Sequence, residues 1–134
     1  MKPETAKALD KARTCLTKAE QMLAIDLADE AARSAYMAAF HAAQALVFER
    51  TGKVAKTHAG VRIEFSRLAK DEAGFDRALI SFLGQSYEFK TISDYGVDPG
   101  VTITAEHARN AITTATRFVE GIGGLVGPLP DLPA

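Results

Sequence analysis

Apolar positions recur along this chain at intervals of three and four residues, the period of an amphipathic helix, and never alternate with strand period for more than three residues. From Glu4 to about Ala24, Leu9, Ala12, Leu16, Ala19 and Leu23 keep that spacing behind Pro3, which suits a first helical turn. The pattern breaks at Ile25 to Leu27, where Asp26 offers an N-cap, and a second helix is predicted from Ala28 to Arg50. This stretch, ADEAARSAYMAAFHAAQALVFER, holds nine alanines and neither Gly nor Pro, so local propensity favours helix with little tertiary help. Tyr36, Phe40, Ala43 and Val47 form one stripe on it, and its lack of bulk lets neighbours approach closely, which makes it the expected central rod of a bundle.

Arg50, Thr51 and Gly52 announce its end. A basic loop, Lys53 to Lys56, leads to Thr57, the expected N-cap of a third helix with Val61, Phe65 and Leu68 inward, fading between Ala69 and Gly74. Phe75, Leu79, Phe82, Ser86 and Phe89 predict a fourth helix to about Ser93, in which Gly84 marks a tight crossing. Asp94 to Gly100 read as a turn and Val101 to Ile103 as extended, before Thr104 caps a fifth helix buried through Ala108, Ala111, Ile112, Ala115, Phe118, Val119 and Ile122. The expected fold class is all-α, an up-and-down bundle of four or five helices with short antiparallel connections. Residues 1–123 form the bundle and 124–134 a flexible tail, because Gly and Pro in GGLVGPLPDLPA do not continue a helix.

Length and composition narrow the classes. A chain of 134 residues suits one domain with one core. Its formal net charge of -1 supplies no global field for nucleic acid or an acidic membrane, so any anion site must be local. The start, MKPETAKALDKAR, has no apolar signal core, and no run approaches the roughly 18 apolar residues of a membrane span, which together predict a cytoplasmic protein without membrane contact. The single cysteine, Cys15, excludes an internal disulfide and sits at helical spacing with Ala8, Ala12, Ala19 and Met22, as a packing residue would.

The densest local charge lies between Arg50 and Arg62. Arg50, Lys53, Lys56, His58 and Arg62 carry it, with no Asp or Glu between Glu49 and Glu64, and it spans the start of the third helix, where free N–H groups favour an anion. It reads equally as a solvated basic loop. His41, between Phe40 and Ala42 on the central rod, reads first as a packed residue and second as a catalyst; His107, in the first turn of the fifth helix, reads as surface. No Glu-x-x-His pair occurs, and His41, His58 and His107 lack the close spacing of zinc ligands, so neither metal nor cofactor is expected. In YEFKTISDYG, Tyr87 to Gly96, Lys90 and Asp94 stand four residues apart on one face and Tyr95 begins the turn, bringing a cation, a carboxylate and a phenol close together.

Three strings in this order, AYMAAFHAAQAL (Ala35 to Leu46), KTHAGV (Lys56 to Val61) and YEFKTISDYG (Tyr87 to Gly96), resemble the small prokaryotic HEPN-domain proteins of the UPF0332 type, over nearly the whole chain from about Glu4 to Ile122. The resemblance implies a helical HEPN bundle, a homodimer, and a toxin–antitoxin-like pair with a minimal nucleotidyltransferase. Many HEPN relatives are metal-independent ribonucleases whose motif is an Arg, four to six residues, then a His. Here Arg33 to His41 and Arg50 to His58 each enclose seven residues, and Lys90, Asp94 and Tyr95 stand where the motif is expected. Lysine keeps the charge but lacks the bidentate fork, and a phenol of ordinary pKa is a weak base at neutral pH.

Three readings follow. The first is a binding module taking RNA or a nucleotide in a polar groove formed by Lys90, Asp94, Tyr95 and the His58 loop, with Arg50, Lys53, Lys56 and Arg62 as further cations. By analogy with HEPN toxins whose tyrosine is modified with AMP by the partner, Tyr95 is an acceptor. The second is a ribonuclease in which His41 or His58 supplies the imidazole and works with Lys90 or Arg62. The third is a non-catalytic helical dimerisation adaptor.

Overall fold

The structure, a computed structural model, describes residues 1–95 and 102–127, and among these every regular element is a helix. Five long helices and one single turn follow in order: α1 (Pro3–Ala24), α2 (Ala28–Thr51), α3 (His58–Ala69), the four-residue α4 (Arg77–Ile80), α5 (Phe82–Tyr95) and α6 (Ala105–Val126). The all-helical expectation holds, and α2 is the rod on which α1, α3, α5 and α6 all pack.

Alanine explains how one helix serves four neighbours. Ala31, Ala32, Ala35, Ala38, Ala39, Ala42, Ala43 and Ala45 are all fully buried, so helix axes approach α2 with only methyl groups between them. Bulk comes from the partners instead. Phe65 of α3, Phe75 just before α4, Phe82 of α5 and Phe118 of α6 meet in an aromatic cluster with ring centroids 5.1 to 6.3 Å apart.

Helix ends follow local chemistry, with one exchange of roles. Asp26 does not cap α2. It adopts a left-handed φ of 64°, a region open to Asp more than to most residues, and closes α1: its N–H donates to the Leu23 carbonyl, while the Leu27 N–H donates to that of Met22. Gly52 ends α2 in the same left-handed region, at φ 71°. Thr57 caps α3 as expected, its Oγ1 accepting from the Gly60 N–H at 2.9 Å. A Cβ on residue 60 would stand 2.8 Å from that oxygen, so the glycine is what leaves room for the cap.

Two connections depart from the sequence reading. The expected fourth helix is split: Asp76 caps a new start at Arg77, leaving Phe75 outside to reach Phe65 and Phe118, and the ladder lapses at Ser81 before α5. Residues 52–57 are not a short reversal but an extended strap lying back along α2, held by Gln44 Nε2 donating to the Ala55 carbonyl at 3.1 Å. It sets His58 beside Tyr36 and Phe40, so α3 runs in the same direction as α2 and returns Glu72 to the level of Arg50. α5 runs the opposite way, with Tyr87 at Tyr36 and Asp94 at Arg33.

The last helix outruns its expected end near Ile122. α6 continues through Gly121, Gly123 and Gly124 to Val126, because Ile122 and Val126 are both buried and packing outweighs the propensity cost of the glycines. Gly121 is used there, since a Cβ on it would meet the Phe75 ring at 3.0 Å. Val101 and residues 96–100 of the expected turn, and residues 128–134 of the expected tail, lie outside the described residues.

Candidate functional site

Polar chemistry concentrates where the first half of α2, the start of α3 and the end of α5 meet. Tyr36 has an exposure of only 1%, and its hydroxyl lies 2.5 Å from Nδ1 of His58. The imidazole stacks on Phe40, centroids 4.3 Å apart and planes 24° apart, and Tyr87 closes the other side at 5.5 Å. His58 is thereby held in a slot of three aromatic rings reached from two other helices. Beside it, Asp94 bridges two cations, Arg33 Nε to Oδ1 at 2.7 Å and Lys90 Nζ to Oδ2 at 2.6 Å.

These surroundings set the protonation states. Burial first, then the positive charges of Lys90 and Arg33 and the neighbouring His41, push the His58 pKa below its ordinary 6.5, with Asp94 opposing. Burial and the adjacent Tyr87 raise that of Tyr36, so the phenol keeps its proton. Hydrogen bonds from Lys90 and Arg33 hold the Asp94 carboxyl below the usual range, so it is ionised at neutral pH. Two cations against one carboxylate and a neutral imidazole leave the cluster one net positive charge. Arg33 engages Asp94 through Nε, and Lys90 has three N–H groups for one bond, so both keep donors for a ligand.

The residues predicted from sequence scatter around this centre. Lys90, Asp94 and His58 come together. Tyr95 does not join them: it is 76% exposed, and the phenols that meet His58 are Tyr36 and Tyr87. The expected groove therefore has Tyr87 where Tyr95 was placed. His41 anchors the strap, its Nδ1 2.9 Å from Gln44 Oε1 while Gln44 holds Ala55, and burial lowers its pKa. Arg50 belongs to the opposite end of α2, about 15–21 Å along the helix from the Tyr36 and Phe40 that hold His58, with Nε 2.6 Å from Glu72 and an Nη 3.0 Å from the Leu125 carbonyl. That charge pins α2 to the α3–α4 connection and to α6. Lys53 and Lys56 are exposed on the strap, and Arg62 lies one turn beyond His58 with its Cδ side toward Gly84. His107 is exposed and completes the cap of α6: its Nδ1 accepts from the Thr104 N–H while its own N–H donates to Thr104 Oγ1.

Sequence reasoning missed Arg33, Phe40 and Tyr87 as site residues and took Tyr36 only as packing. The signal was the spacing: Arg33, Tyr36 and Phe40 recur at three and four residues on the face the KTH string must meet. A concavity of about 230 Å³ opens elsewhere, between α5 and α6 around Phe82, Phe89, His107 and Asn110, and no Lys, Arg, Asp or Glu lines it. Among the described residues, no group of three His, Cys, Asp or Glu is placed to hold a metal ion, and no helix is long and apolar enough to cross a membrane.

The bundle and its polar cluster can be set beside known proteins. A family model described as the HEPN domain matches residues 5–125. The chain belongs to the HEPN family. Among solved structures, TT1696 from Thermus thermophilus is similar over 90% of this chain and 97% of that one, with a TM-score of 0.74 and 21% sequence identity, a likeness of fold. A comparison with curated proteins gives no match. In this HEPN domain α2 and α5 supply the charged part of the cluster, and the first residue of α3 supplies the imidazole.

Proposed function

We propose that this HEPN domain, of the UPF0332 type, binds RNA or a nucleotide in the groove between α2, the start of α3 and α5, as the homodimeric member of a toxin–antitoxin-like pair whose other member is a minimal nucleotidyltransferase. The observation that carries the binding site is the Arg33–Asp94–Lys90 bridge beside His58, two cations on one carboxylate with donors to spare. Such a cluster suits a phosphodiester, whose single charge matches the local excess and whose oxygens accept charge-assisted hydrogen bonds. Exposed Lys53 and Lys56 extend the positive surface along the strap. The test is fluorescence anisotropy of a labelled single-stranded RNA at several salt concentrations: saturable binding that weakens as salt rises supports the reading, and no binding at low salt overturns it. The pairing is tested by co-purification with the product of the adjacent gene, and a neighbour unrelated to nucleotidyl transfer removes that part.

A second reading, metal-independent RNA cleavage, is favoured by the neutral imidazole next to two cations. Cleavage that persists in chelator and disappears in His58→Ala would support it. Intact RNA at high protein concentration would count against it.

A further inference from the structure

We infer that Tyr36 is a positioning residue that holds His58 as a neutral imidazole with its proton on Nε2, so that the groove offers its ligand an N–H donor and takes an unprotonated phosphodiester oxygen there. The inference rests on the groove assigned above and specifies how its imidazole is used.

The phenol proton decides the tautomer. Tyr36 is buried, and among the described residues its hydroxyl has one hydrogen-bonding partner, His58 Nδ1. A buried hydroxyl without an acceptor costs about 1–3 kcal/mol, and the phenol does not lose its proton, because burial and Tyr87 both oppose ionisation and Arg62 only partly offsets them. The arrangement that satisfies the hydroxyl is the one in which Nδ1 accepts. If Nδ1 carried a hydrogen, the Tyr36 oxygen would accept it and the hydroxyl proton would be left buried without a partner. A neutral imidazole that accepts at Nδ1 carries its hydrogen at Nε2.

The imidazolium is disfavoured on the same ground, since it protonates both nitrogens and strands the same hydroxyl proton. The groups around the ring agree: Arg33 and His41 from α2 and Lys90 from α5 disfavour a further positive charge, and Asp94, the opposing group, is shared between Arg33 and Lys90. The stack on Phe40 fixes the ring plane, so the hydrogen bond and the stack together leave the imidazole little freedom to flip. No described residue accepts a hydrogen bond from Nε2. Arg33 and Lys90 are near enough to act on the charge of the ring, and in the inferred seat the oxygens of a phosphodiester take up Nε2–H together with the spare N–H groups of these two cations. The same arrangement removes the lone pair that a general base would need at Nε2, so this tautomer goes with the binding reading and against the cleavage reading.

Nitrogen-15 NMR of the free protein tests the assignment without any ligand. The expected spectrum has a pyrrole-type Nε2 and a pyridine-type Nδ1 for His58 from neutral pH upward. A pyrrole-type Nδ1 overturns the inference. In Tyr36→Phe the tautomers should mix and the His58 titration should move up towards the ordinary value; an unchanged tautomer and titration also overturn it. Should that variant fail to fold, the wild-type spectrum still decides. A dinucleoside monophosphate is then titrated in. A shift of the His58 Nε2 resonance that is lost in Lys90→Gln supports the oxyanion seat. A correct tautomer with no response to the dinucleotide leaves the tyrosine's role standing and overturns the groove as a phosphodiester site.

Discussion

At the Gly52 end of α2, Glu49 accepts from the Lys2 N–H and from the buried Thr5 hydroxyl, while Arg50 reaches Glu72 and the Leu125 carbonyl. At the other end, Arg33 and Lys90 share Asp94 and keep donors unused beside His58. Both ends of this helix gather cations around a carboxylate. The first is closed upon itself and ties elements together; the second retains a positive excess and an imidazole edge with no partner among the described residues. Charge density alone does not separate a clamp from a site. What separates them is whether the available donors outnumber the acceptors the fold provides.

Substitutions at each end should therefore move different observables. The largest effect is expected from Glu49→Ala, which leaves the Thr5 hydroxyl buried without an acceptor. Thermal or urea unfolding should show a loss of about 1–3 kcal/mol, with RNA affinity unchanged; a drop in affinity would erase the contrast. Lys90→Gln should do the reverse, weakening RNA binding about tenfold and lowering the salt-dependence slope by about 0.7, as loss of one phosphate contact on a single strand predicts. Its cost in stability should stay within about 1 kcal/mol, since the pair is partly exposed.

Arg50→Met should destabilise by about 1 kcal/mol through the lost Glu72 pair and the uncapped Leu125 carbonyl, again with RNA binding intact. The smallest effect is in pH. His58 is more easily protonated unfolded than folded, so the unfolded chain binds more protons as pH falls through 6.5, and this contribution to stability is present above that value and lost below it. Unfolding curves from pH 7.5 to 5 should show the decline in wild type and less of it in His58→Gln. Equal declines would mean that the imidazole is not held neutral.

Much of this was legible in the sequence. Uninterrupted alanines named the rod, Thr57 and Thr104 named two caps, and the spacing of Lys90 and Asp94 named their ion pair. What escaped are facts about direction and distance. Five basic residues within thirteen positions looked like one patch, yet the strap folds back and parts Arg50 from His58 by a half-length of the bundle. Tyr95 and Tyr87 were equivalent as text, but the helical turn that aims Lys90 at Asp94 leaves Tyr95 in solvent and puts Tyr87 on His58. Asp26 looked like a start signal because helix beginnings favour Asp; its left-handed backbone served the preceding helix instead.

The strap of residues 52–57 has a length that matters more than its composition. It works as a ruler: fixed at one end by the turn at Gly52 and midway by Gln44, it delivers residue 58 to one station along the rod. One residue inserted between Gly52 and Thr57 would overshoot by about 3.3 Å, enough to carry the imidazole past its tyrosine while every helix kept its own sequence.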